Sequence, residues 1–177
     1  MIWFDNPTRA VGQVAFAVAA VLAALAATAA GRRRTVADAR LWWTVAVVFA
    51  LLWIETALNW RFVPRTVAHR LLDARGGYGA RAGLQEALLV ALGAAIVVAV
   101  VASVLVRRRR ARLASTTRAA FAATTALVAL FAVEAISLHA LDVRLYAAVG
   151  PLLAVGWLWL AASAVVVGMA AAHSRGR

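Results

Sequence analysis

Five apolar runs, each about twenty residues long and divided by short arginine-bearing stretches, leave this chain one class of fold. A bilayer core of about 30 Å is crossed by about twenty helical residues at 1.5 Å rise. The runs cover about 8–30, 41–60, 84–106, 119–140 and 151–172. Hydrophobic residues make up 65% of the 177 and mean hydropathy is +0.85. Soluble domains hold about 45–50% apolar residues. The expectation is an all-α integral membrane protein: a single transmembrane domain, 1–177, built as a bundle of five helices.

The first run opens at Asn6-Pro7-Thr8, an Asn cap with Pro at the first helical position, and ends at Gly31. AATAAG offers small residues for signal cleavage, but the apolar stretch is long and Arg32-Arg33-Arg34 follows it, so an anchor is expected. A short basic loop, Arg32–Arg40, leads to the second run, with Trp42 and Trp43 at one end and Trp60 at the other as interfacial belts. After Pro64, the segment Arg65–Arg75 sets Val67, Leu71 and Ala74 on one face, which predicts a short amphipathic interfacial helix within the 61–83 loop. Ser115-Thr116-Thr117 supplies caps for the fourth run, and Thr124 and Thr125 within it can bond back to the helix or across to a neighbour. Pro151 opens the fifth run, or Gly150-Pro151 kinks a longer helix.

All nineteen basic residues are arginine, and the net charge is +12. They sit beside the apolar runs, a pattern of topology and anionic-lipid contact rather than of nucleic-acid binding. Twelve fall on one side of the expected topology and seven on the other. The positive-inside rule then predicts a bacterial cytoplasmic (inner) membrane protein, N-terminus out and C-terminus in the cytoplasm. Arg65, Arg70, Arg75, Trp60 and Tyr78 are the candidates for lipid headgroup and interface contact.

Two ionisable residues interrupt apolar runs: Glu55 and Glu134. Such a residue costs about 2.5–3.5 kcal/mol at a helix centre even on lenient insertion scales, so it is expected to face a bundle interior, a partner or a cavity. Glu55 lies five residues before Trp60 and Glu134 five before His139, which places both about 7–8 Å inside the same outer boundary. Glu86 begins the third run near that surface, Asn59 shares a face with Glu55, and Asp142 follows His139 by three. Arg61, Arg65 and Arg144 are available as counter-charges. An outward polar site or docking surface is expected at Glu55, Asn59, Arg61, Glu86, Glu134, His139, Asp142 and Arg144, with the cytoplasmic halves comparatively bare. The bland alternative is that each glutamate bonds a neighbouring helix or stays protonated.

Chemistry is less defined. Glu55, Glu86, Glu134 and His139 are ligand types that carboxylate-bridged metals use, but the Glu-x-x-His spacing of helical di-iron sites is missing, since Glu134 and His139 stand about 140° apart around the helix. His69, His139 and His173 fall at unmatched depths for a bis-His haem, and no cysteine is present. No metal or cofactor is expected. The seven tryptophans are accounted for by belts and packing, although they leave room for pigment or quinone contact. The chain holds no His-Glu-x-x-His, no Gly-x-Ser-x-Gly and no phosphate-binding glycine loop. Ala15, Ala19, Ala20, Ala23, Ala24 and Ala27 suit close helix contact, within the bundle or to another chain.

The expected function is that of a non-enzymatic accessory or scaffold subunit of a larger membrane complex, contacting anionic lipid and other membrane chains or its own copies. A small transporter or channel that takes a cation or proton at Glu55 and Glu134 is the first alternative. An outer-leaflet enzyme acting on a lipid-linked substrate is the second.

Overall fold

The computed structural model describes residues 6–33, 35–58, 113–136 and 143–175. Four helices account for most of them: α1 (Pro7–Arg32), α2 (Val36–Leu58), α3 (Ser115–Ile136) and α4 (Ala154–Arg175). Each is long and apolar enough to cross a membrane. Two-residue strands β1 (Ala148–Val149) and β2 (Leu152–Leu153) pair antiparallel just before α4. The third expected span and the interfacial helix at 65–75 lie outside the described residues.

Helix α1 starts as its sequence dictates. Asn6 adopts an extended conformation and its side chain accepts from the Thr8 and Arg9 amides, with Pro7 at the first helical position. One face then runs Thr8, Gly12, Phe16, Ala19, Ala23, Ala27 and Ala30, all buried. This small-residue face lets α2 and α4 approach closely within the chain.

Three boundaries differ from expectation. The basic loop at Arg32–Arg40 is mostly helix. Thr35 carries a hydroxyl bond to Ala30 and accepts the Ala39 amide, so α2 begins at Val36 with Asp38 in its first turn. A carboxylate there complements the positive helix start. Ser115, Thr116 and Thr117 lie inside α3 rather than capping it: the helix starts after Ala114, whose carbonyl accepts the Arg118 amide and whose own amide donates to the Asp38 carboxylate at 3.3 Å. Pro151 neither opens nor kinks the last helix. Gly150 takes φ of +64° in the two-residue turn between β1 and β2, a conformation glycine adopts without a Cβ clash, and α4 starts at Ala154.

The contacts fix the directions of the helices. The start of α1 meets the end of α2 and the start of α4, while the end of α1 meets the end of α4. Asp38 near the start of α2 bonds the residue that precedes α3. Hence α1 and α4 run parallel to each other and antiparallel to α2 and α3. The start of α1 and the end of α4 stand at opposite ends of the bundle. In the half of the bundle nearer the start of α1, Phe16 packs on Phe49, Phe131 and Trp159 with ring centroids 5.6–5.9 Å apart, and Phe131 stacks on Trp159 at 5.4 Å. In lipid such packing, rather than expulsion of water, holds helices together.

Candidate functional site

The buried face of α3 reads Thr117, Ala120, Thr124, Leu127, Phe131, Glu134, a progression of threes and fours that carries Glu134 inward. Its side chain is 1% exposed. Two donors from the next part of the chain meet it. Trp159 Nε1 donates to Oε1 at 3.3 Å, and the Tyr146 hydroxyl donates to Oε2 at 3.2 Å. Trp159 lies one turn into α4, whereas Tyr146 lies on the segment leading to β1 and is half-exposed.

Trp159 is held where it can reach the carboxylate by close approach of two parallel helices. A Cβ on Gly12 of α1 would stand 2.6 Å from the Trp159 ring, and a Cβ on Gly156 of α4 would stand 2.5 Å from Thr8 Cγ2. A larger residue at either position would have to displace that ring or that methyl. Thr8 also accepts the Leu153 amide at 2.9 Å, and Trp157 Nε1 donates to the Val149 carbonyl at 2.8 Å, which fastens the hairpin to the bundle.

Glu55 is half-buried in the last turn of α2, at the same end of the bundle as Glu134 and on a parallel helix. Arg9 of α1 closes that helix terminus: its Nε and Nη2 donate to the Thr56 and Ala57 carbonyls at 2.7 and 2.6 Å. A guanidinium on the last carbonyls of a helix satisfies groups without intrahelical partners and opposes the negative end of the dipole. Arg144 is exposed. Asn59, Trp60, Arg61, Arg65, Arg70, Arg75, Tyr78, Glu86, His139 and Asp142 lie outside the described residues. Among the described residues no group of three His, Cys, Asp or Glu side chains is placed to hold a metal.

The opposite end is not bare, contrary to expectation. Trp42, expected in an aromatic belt, is fully buried, with its ring 5.4 Å from that of His173. His173 Nδ1 shares a hydrogen bond with the Thr116 hydroxyl at 3.0 Å, and Arg33 donates to the His173 and Ser174 carbonyls at 2.9 and 3.0 Å. Asp38 is 5% exposed beside them. Trp42 Nε1 and His173 Nε2 are buried and take no hydrogen-bond partner among the described residues. Thr124 and Thr125 bond back to Ala120 and Phe121 of their own helix, the first of the two expected options.

The expectation that Glu134 faces the bundle interior agrees with its burial, whereas its bonds to Trp159 and Tyr146 were not expected. Trp159 carried one signal, its place four residues from Val155 and Ser163 on the α4 face. Tyr146 carried none beyond proximity in the chain. Comparison of the chain with protein families, with curated proteins and with solved structures finds no match.

Proposed function

We propose that the chain is a non-enzymatic accessory or scaffold subunit of a larger assembly in a bacterial cytoplasmic membrane, with the end that carries Glu55 and Glu134 as its polar docking surface. One observation supports this above others: polar side chains at that end fasten one element to another. Arg9 ties α1 to α2, Thr8 ties α1 to β2, and Glu134 ties α3 to α4 and to Tyr146. Groups committed to interhelical bonds build a rigid frame, which suits a scaffold that presents the exposed residues around them.

The same reading takes the protein as five-spanning. Helix α2 ends and α3 begins at opposite ends of the bundle, which supports an odd number of crossings between them. The parallel directions of α1 and α4 support termini on opposite sides, with the N-terminus outside by the arginine count. Anionic lipid at the arginine-rich side and other membrane chains or further copies are the proposed partners.

The test is affinity purification of tagged protein from its native membrane in lipid-preserving conditions. Stoichiometric partners are expected. Homogeneous protein alone, with activity of its own, overturns the reading. A second reading, a small transporter or channel for a cation or proton, is favoured by the burial of the Glu134 carboxylate inside an apolar bundle. Wild-type flux in both Glu55→Gln and Glu134→Gln removes it.

A further inference from the structure

We infer that residues 143–153, with the β1–β2 hairpin, are embedded in the interfacial layer of the bilayer and take phospholipid as their partner. The inference goes beyond both readings above. It concerns lipid at the Glu134 end rather than a partner chain or an ion, and it holds whether or not the protein has either.

The segment is apolar on both faces. Leu152 is buried, and Leu145 and Leu153 pack partly buried against the core. The opposite face is no more polar: Val143 is 62% exposed and Val149 51%, and Ala147, Ala148 and Pro151 are exposed with them. A hairpin that meets water on one face alternates apolar with polar residues. Here the Tyr146 phenol is the one ionisable side chain between Arg144 and His173.

Its backbone is paired as a water-poor medium requires. The Ala147 amide donates to the Arg144 carbonyl at 3.4 Å, and the Ala147 carbonyl accepts the Ala154 amide at 2.9 Å. Ala148 and Val149 pair with Leu153 and Leu152. Two side chains add to this: the Thr8 hydroxyl accepts the Leu153 amide, and the Trp157 indole donates to the Val149 carbonyl. Pro151 brings no amide proton. Water would satisfy such groups unaided, whereas lipid would not. Depth agrees. The nineteen residue steps between Ala154 and His173 rise about 28 Å, close to the thickness of a hydrocarbon core. With the arginine-rich end at one boundary, the hairpin falls at the other, where the headgroup layer begins. Tyr146 and Trp157, 36% and 44% exposed, are residue types enriched at that level. Arg144, exposed at the head of the segment, supplies the charge that complements lipid phosphate.

The chain has no cysteine, so single-cysteine variants of the full chain carry one spin label each. Val149→Cys, Val143→Cys and Val47→Cys are labelled and placed in vesicles of phosphatidylcholine and phosphatidylglycerol. Each label is then read for collision with oxygen, which concentrates in lipid, and with a nickel chelate, which stays in water. Val47, exposed near the middle of α2, is the lipid reference. Oxygen contact that exceeds nickel contact at Val149 and Val143, as at Val47, is the expected result. Nickel contact that exceeds oxygen contact at either position puts the segment in water and overturns the proposal. Weak contact with both reagents at either position overturns it as well, since protein rather than lipid then covers the hairpin. Should one labelled variant fail to reconstitute, the other decides by the same comparison.

Discussion

The two ends of the bundle use one device and differ in what surrounds it. At each end α1 places an arginine on the last carbonyls of a neighbouring helix: Arg9 on Thr56 and Ala57 of α2, Arg33 on His173 and Ser174 of α4. Beyond that, the bonds of Glu134 itself reach residues close in sequence, Tyr146 and Trp159, while Thr8 of α1 holds Leu153. The His173 end gathers Arg33, Asp38, Trp42, Thr116 and His173 from four helices. The first end has its indole N–H bonded, whereas the second has its indole N–H buried without a described partner. The same residue type therefore does different physical work at the two ends.

The largest effect is expected where packing allows Trp159 to reach Glu134. Gly12→Leu drives a side chain into the buried Trp159 ring and is expected to destabilise by about 3 kcal/mol, the upper part of the overpacking range. Gly168→Ala has nothing within 4 Å of the new methyl and should stay within about 0.5 kcal/mol of wild type. Denaturant titration in mixed micelles, followed by circular dichroism, compares them. Equal losses would mean that close α1–α4 approach does not control stability.

Next comes the pair of indoles. Trp159→Phe keeps an aromatic ring on Phe131 but removes the N–H from a buried carboxylate, with an expected loss of about 1–3 kcal/mol. Trp42→Phe removes an N–H that has no described partner and is expected to be near neutral apart from the lost ring volume. The same titration ranks them. A Trp42→Phe loss that matches that of Trp159→Phe would show that the Trp42 indole nitrogen is bonded after all, which erases the contrast.

How much of this was legible follows from distance along the chain. The helical class is written in the apolar runs, because a bilayer imposes length and composition on any span. Glu134 was legible because one charge in an apolar helix stands out, and its inward direction follows from the spacing of Thr117, Ala120, Thr124, Leu127 and Phe131. Asp38 and His173 were not. Each sits at a helix end beside arginines, where a polar residue is unremarkable, and only folding brings them together across 135 residues of chain. The start of α2 was misplaced for the same reason. Apolar periodicity is silent before Leu41, and the signal lay in Thr35 and Asp38.

The smallest effects separate the two arginine caps. Arg9 is half-buried and donates to two carbonyls at 2.6 and 2.7 Å, whereas Arg33 is exposed and donates at 2.9 and 3.0 Å. Charged donors to carbonyls contribute about 1.5–3 kcal/mol where water is excluded. Exposed charges at a helix terminus contribute about 0.3–1 kcal/mol and are screened by salt. Arg9→Met should therefore cost about 1.5 kcal/mol with little dependence on ionic strength, because the bonds it breaks lie against the packed start of α1. Arg33→Met should cost about 0.5 kcal/mol at low salt, falling further as salt is raised. Mixed-micelle titrations at low and high salt test both. A larger or more salt-sensitive loss for Arg9 than these figures allow would mean that water reaches the carbonyls at the end of α2 as freely as those at the end of α4.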